Sequence, residues 1–111
     1  MRYGIFGDIH GNLQALEAVL EAYEKERIDV YLCTGDLVGY GANPKECVDE
    51  TRAISAHIVA GNHDFAVCEK RTLEFFNSFA KSAVLWTRQQ LSPDDLHYLN
   101  CAYMAPVSKR E

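Results

Sequence analysis

The sequence lacks the long apolar runs, the basic excess and the closely spaced cysteines that mark several classes of protein. No apolar run approaches about 18 residues, so we expect no transmembrane helix. Lysine and arginine number 11 against 16 acidic residues, and the net charge of −5 argues against a surface for nucleic-acid backbones or anionic membranes. The four cysteines form no C-x-x-C pair, which argues against a structural zinc site.

What remains is the composition of an ordinary globular domain. The chain has 111 residues, 48% of them hydrophobic and 24% charged, and we expect residues 1–111 to form one domain. The N-terminus enters directly into a strand pattern, without a charged segment followed by an apolar one. We therefore expect a cytoplasmic protein whose thiols are reduced.

Short apolar runs alternate with helical patterns, which predicts a layered α/β domain with a mainly parallel sheet and flanking helices. The predicted strands are residues 3–7, 29–34 and 56–60, and the first should be buried on both faces because its apolar run does not alternate. The predicted helices are residues 12–25, 43–53, 65–68, 77–90 and 92–100. We expect capping side chains at Asn12 and Asn43, and a packed stripe of Phe79, Ala83 and Trp86. Residues 102–107 form either a further strand or a tail.

Polar side chains directly follow each predicted strand. Asp8 and His10 follow the first strand, Asp36 the second and Asn62 the third. Because the carboxyl ends of parallel strands share one edge of the sheet, these groups should converge there. Residues two apart in a strand point to the same side, so Asp8 and His10 can bind one ion. The two carboxylate oxygens of Asp36 can bridge two ions, and the amide oxygen of Asn62 can bind the second.

The chemistry of this constellation is that of a two-metal site. Two cations ~4 Å apart can clamp a phosphoryl group and lower the pKa of a shared water, which gives a hydroxide nucleophile near neutral pH. His63 would donate a proton to the leaving oxygen, and Asp64 would either orient that imidazole or cap the following helix. Oxygen and nitrogen ligands suit two divalent ions of Mn, Fe, Zn or Mg.

Three sequence segments carry a resemblance to a known family: Gly7-Asp8-Ile9-His10-Gly11-Asn12, Gly35-Asp36 and Gly61-Asn62-His63-Asp64. They resemble the signature of the calcineurin-like metallophosphoesterases, most closely the small bacterial phosphoesterase branch. The resemblance implies that Asp8 and His10 bind the first metal ion and that Asp36 bridges both. It implies that Asn62 binds the second ion and that His63 is an acid or a phosphate ligand. The implied protein is a hydrolase of a small phosphomonoester or phosphodiester, with a nucleotide as one possible substrate.

The resemblance covers the N-terminal half of that family's sandwich fold. Members are usually longer, and their later half supplies two further blocks with histidines, the last of the form Gly-His-x-His. This sequence has 4 histidines and no Gly-His pair. Three explanations stay open: a fragment of a longer product, a second chain that completes the fold, or a reduced form with weak turnover. The alternative function is a non-catalytic metal-binding or phosphate-binding module or an assembly subunit. A half-sandwich exposes apolar sheet surface, so we expect self-association.

Overall fold

The computed structural model describes residues 1–69 and 72–104, which form a three-stranded sheet with helices packed on it. The strands, in sheet order, are β1 (Tyr3–Phe6), β2 (Val30–Cys33) and β3 (His57–Ile58). The helices are α1 (Leu13–Glu24), α2 (Pro44–Ala53), α3 (Asn62–Val67), α4 (Ser78–Gln90) and α5 (Pro93–Met104). Both strand pairs are parallel, with α1 and α2 as the crossover helices. The predicted layered α/β architecture is confirmed.

The third strand is shorter than predicted. The ladder of β3 ends at Ile58, which is paired with Cys33, the last residue of β2. One more backbone bond follows, from Val59 N to Cys33 O at 3.0 Å. Because β2 ends at Cys33, the paired ladder ends there as well, and this bond keeps Val59 beside β2.

The prediction that the first strand is buried on both faces is wrong. Gly4 and Phe6 of β1 are buried, whereas Tyr3 and Ile5 are each 54% exposed. Val59, which lies on the same side of the sheet as Ile5, is 42% exposed. The described residues therefore enclose one face of the sheet and leave the other open. We call Tyr3, Ile5 and Val59 the uncovered sheet face.

The core lies between the enclosed face of the sheet and the helices. Phe6 and Cys33 contribute from the sheet. Four fully buried side chains, one each from α1, α2, α4 and α5, pack in the same cluster: Leu16, Val48, Val84 and Leu99. These contacts hold the helices behind the sheet, so that the carboxyl ends of the strands stay open.

The face on which α4 packs also differs from the prediction. Phe79 and Trp86 are 82% and 41% exposed, and the helix instead buries Ala80, Val84 and Thr87. Because each residue turns an α-helix by about 100°, a shift of one residue replaces the aromatic side with the small one. The small residues allow α4 to lie close to the core.

The helix ends follow the predicted signals in part. Asn12 caps α1 by accepting a bond from Ala15 N at 3.0 Å. Asn43 makes no capping bond, because its backbone N–H donates to Gly11 O at 3.0 Å and holds the residue outside the extended conformation usual for a cap. The helix predicted to end at residue 100 continues to Met104, which rules out a strand at residues 102–104; residues 105–107 lie outside the described ones.

No helix in residues 1–69 and 72–104 is long and apolar enough to cross a bilayer.

Candidate metal centre

The loops that follow β1 and β2 remain bonded to each other beyond the strands. Asp8 N donates to Gly35 O at 3.0 Å, and His10 N donates to Asp36 O at 2.9 Å. These bonds extend the parallel ladder past its last paired residues, although the chain is no longer extended there. The predicted ligands from two separate segments are thereby placed next to each other by backbone contacts alone.

Three of the predicted ligands have an unusual backbone conformation. The φ angles of Asp8, His10 and Asp36 are 52°, 51° and 53°, in the left-handed region that residues other than glycine seldom adopt. Such conformations cost of order 1–3 kcal/mol each and persist where the surrounding structure imposes them. Their clustering at one edge of the sheet indicates a functional site.

The side chains of these three residues form a compact donor group. One ligand atom from each lies within 4.8 Å of those of the other two. Donor atoms ~2.0–2.5 Å from a shared ion lie at most about 5 Å apart, so the spacing allows a common cation. His10 Nδ1 donates to Val38 O at 3.3 Å, which leaves Nε2 as the ligating nitrogen, 4.0 Å from Asp36 Oδ2. The oxygen and nitrogen donors fit a divalent ion such as Mn²⁺, Fe²⁺, Zn²⁺ or Mg²⁺.

Asn62 lies beside Asp36 at the edge of this donor group. Its side-chain amide lies 3.2 Å from both carboxylate oxygens of Asp36. With the nitrogen turned toward Asp36, the amide donates to that carboxylate. With the oxygen turned toward it, two acceptors face each other, an arrangement that a shared cation stabilises. The backbone N–H of His63 holds Asp36 in place by donating to Oδ1 at 3.0 Å.

Two glycines allow the loops to approach this closely. A side chain at Gly61 would collide with the carboxylate of Asp36. At Gly39, where φ is 101°, a Cβ atom would lie 2.8 Å from Nδ1 of His63. Gly61 is required for space alone, since its φ of −87° is open to other residues, whereas Gly39 provides both the space and the left-handed conformation.

His63 is enclosed mainly by rings. Its side chain is 8% exposed, and Nδ1 is buried with no hydrogen-bond partner among the described residues. Its ring centroid lies 4.9 Å from those of His10 and Tyr40 and 5.1 Å from that of Phe76. Burial lowers the pKa of His63. Sequence reasoning missed Tyr40 as a neighbour of the site. The available signal was a tyrosine between two glycines, a few residues after Asp36.

Asp64 is fully buried and bonds to backbone amides. It accepts from Leu37 N at 3.1 Å, Val38 N at 3.2 Å and Gly61 N at 2.9 Å. Burial raises the pKa of Asp64 to about 6, although these bonds oppose the shift. The carboxylate ties the loop after β2 to the start of α3, and its bond to Gly61 is of the capping kind. A contact with the His63 imidazole is not among these bonds, so the catalytic role of Asp64 stays a prediction.

A parallel α/β sheet with carboxylate, imidazole and amide groups gathered at its carboxyl edge is typical of a metal-binding α/β domain. The sequence matches the calcineurin-like phosphoesterase family over residues 1–103, and the chain belongs to that family. The family resemblance seen in the sequence is thus confirmed.

Two solved structures are similar to this chain in both fold and sequence. A metallophosphoesterase from Sphaerobacter thermophilus superposes with a TM-score of 0.73 and 44% identity, covering 90% of this chain and 40% of its own. A proposed diadenosine tetraphosphatase superposes with a TM-score of 0.70 and 31% identity, covering 89% of this chain and 41% of its own. The match is therefore extensive for this chain and partial for its neighbours.

Curated relatives also match most or about half of this chain but a smaller part of their own length. An uncharacterized protein of Methanocaldococcus jannaschii is 43% identical over 96 residues, which are 86% of this chain and 40% of the relative. A symmetrical bis(5'-nucleosyl)-tetraphosphatase of Psychromonas ingrahamii is 44% identical over 63 residues, 54% of this chain and 23% of the relative. The chain thus spans less than half the length of these relatives.

Proposed function

We propose that this chain acts in the hydrolysis of a small phosphate ester, a monoester or a diester, with two divalent metal ions at the carboxyl edge of the sheet. The observation that carries the proposal is the donor group of Asp8, His10 and Asp36, in a chain that belongs to a phosphoesterase family. Bound ions would neutralise the phosphoryl oxygens and lower the pKa of a water. We extend the activity of the longer relatives to this chain as part of this proposal.

Each ligand has a separate task in this proposal. Asp8 and His10 would hold the first ion, Asp36 would bind both, and Asn62 would hold the second. The 3.2 Å separation between the Asn62 amide and the Asp36 carboxylate supports this division, because both groups can reach a common position. The bond from the His63 backbone to Asp36 supports the bridging role, since it fixes one carboxylate oxygen and limits rotation.

His63 is the proposed proton donor to the leaving oxygen. Its imidazole lies beside that of His10, with ring centroids 4.9 Å apart, so it borders whatever the ligands hold. Because Nδ1 is enclosed, we assign the proton exchange to Nε2. Asp64 supports this arrangement through the backbone amides to which it bonds, and so acts as a positioning residue.

The second candidate function is non-catalytic binding of metal or phosphate. The observation that favours it is the small number of imidazoles that the described residues place at the site. His10 and His63 are the two histidines that the described residues bring to the site. A partner chain or a second copy that supplies further ligands belongs to this candidate.

Metal binding and turnover together test the proposal. The purified chain would be titrated with Mn²⁺, counting bound ions by electron paramagnetic resonance, and assayed on p-nitrophenyl phosphate and its bis-ester. We expect two bound ions and turnover for the native chain. The isosteric variant Asp36→Asn should lose at least about tenfold in Mn²⁺ affinity and fall to the background rate. Asp94→Asn, which alters an exposed carboxylate on α5, is the matched control and should change neither.

The outcomes separate the two candidates. Mn²⁺ binding that depends on Asp36, without turnover by the native chain, supports the non-catalytic function. Equal Mn²⁺ affinity in the native chain and Asp36→Asn contradicts the assigned site in both.

A further inference from the structure

Tyr40 is an exposed aromatic residue that borders the metal centre. It lies in the loop between β2 and α2, and its side chain is 53% exposed. Its ring meets that of His10 edge-on, with centroids 5.4 Å apart, and is tilted against that of His63 at 4.9 Å. One part of the ring therefore contacts the two imidazoles of the site, while the rest remains open to solvent.

The backbone holds Tyr40 in this position at a cost. Its φ angle is 70°, a left-handed conformation that is unfavourable for a bulky residue. Gly39 precedes it with φ at 101°, and Gly41 N donates to His10 O at 2.7 Å, which draws the loop onto the site. Core packing does not account for this placement, because more than half of the side chain is outside the core. A contact with a bound molecule would account for both the strain and the exposure.

We propose that Tyr40 is a specificity-determining residue whose ring stacks on a flat aromatic group, of the nucleobase class, in the bound phosphate ester. The inference rests on the proposed function, since the metal centre has to hold the phosphate of that ester. With the phosphate at the metal centre, the group attached to it would lie beside a ring that adjoins both His10 and His63. Aromatic side chains accept any base by stacking, because every base has a π-face.

A second exposed tyrosine provides a matched control. Tyr3 is 54% exposed, so it equals Tyr40 in accessibility, but it lies at the amino end of β1, away from the carboxyl edge. Tyr40→Phe keeps the ring and removes only the hydroxyl group. Tyr40→Ala removes the ring. The two substitutions at Tyr40 therefore separate stacking from hydrogen bonding.

The experiment compares two ligands that differ only in the base. Adenosine 5'-monophosphate and ribose 5-phosphate would each be titrated into the full chain with Mg²⁺, and binding followed by calorimetry and by NMR shifts. We expect the native chain to bind the adenine-bearing ligand roughly tenfold more tightly. Tyr40→Ala should abolish that preference and leave the affinity for ribose 5-phosphate unchanged. Tyr40→Phe and Tyr3→Ala should keep the preference.

Each other outcome is decisive. A parallel loss of both ligands in Tyr40→Ala means that the ring only positions the imidazoles, which overturns the inference. Equal binding of the two ligands by the native chain, or a preference that survives in Tyr40→Ala, also overturns it and leaves the proposed function standing. Failure of the native chain to bind either ligand contradicts the proposed function, and the inference falls with it.

Discussion

The carboxyl edge of the sheet and the uncovered sheet face are only a few residues apart, yet they are held in different ways. At the edge, Gly41 N donates to His10 O, and the loops after β1 and β2 bond to each other, so backbone bonds set the positions of the polar groups. On the uncovered face, Tyr3 and Ile5 are about half exposed. The comparison shows that the geometry of the site depends on backbone bonds and left-handed residues, and not on enclosure of the whole sheet.

Neighbouring residues of β1 test the difference between the two faces of the sheet. Phe6 is 7% exposed, so Phe6→Ala should lower the free energy of unfolding by about 3–5 kcal/mol. Ile5 is 54% exposed, and Ile5→Ala should cost about 1 kcal/mol. Urea denaturation followed by circular dichroism measures both. Equal losses would mean that the face of Ile5 is covered in solution, and would contradict the difference between the two faces of the sheet.

A substitution of Asp64 tests how much the bonds to backbone amides at the carboxyl edge contribute to stability. Asp64→Ala removes the acceptor for the buried amides of Leu37, Val38 and Gly61, and should lower the free energy of unfolding by about 2–3 kcal/mol. Mn²⁺ affinity should fall as well, because the same loops carry the ligands. Thermal denaturation and the Mn²⁺ titration measure the two effects.

The control for that variant is Asp94→Ala, at an exposed carboxylate on α5, which should change stability by less than about 0.5 kcal/mol. Native stability together with native Mn²⁺ affinity in Asp64→Ala would show that the loops are held by other contacts. A loss of stability with unchanged metal affinity would limit Asp64 to the fold.

The meeting of the candidate ligands at one edge could be predicted because it follows from strand order. Asp8 and Asp36 come directly after apolar strands, and parallel pairing brings strand ends together. The N-cap at Asn12 was predictable for a similar reason, since it is a contact between residues three apart. Local patterns thus determine the strands, their direction and the edge at which the polar groups meet.

Other features depend on contacts that local patterns do not contain. Asp64, in α3, accepts bonds from the amides of Leu37 and Val38, which lie 27 and 26 residues earlier, and their geometry is set only when the sheet has formed. The ring of Tyr40 reaches His63 because its backbone is left-handed, which the residue type does not suggest. The packed face of α4 was missed by one residue, because aromatic side chains outweigh small ones in a periodicity argument.

The smallest expected effect concerns self-association through the uncovered sheet face. The native chain should show an average mass that rises with concentration, because exposed apolar strands of this kind promote contact between molecules. Ile5→Thr keeps a β-branched side chain but removes apolar surface, so it should weaken association by up to about tenfold and leave the fold intact. Light scattering and sedimentation measure the mass.

Phe79→Thr on α4, where the ring is 82% exposed, distinguishes the two apolar surfaces. If that variant alone restores the monomer, α4 is the contact and the sheet face is not, and a native chain that is monomeric at every concentration would contradict both.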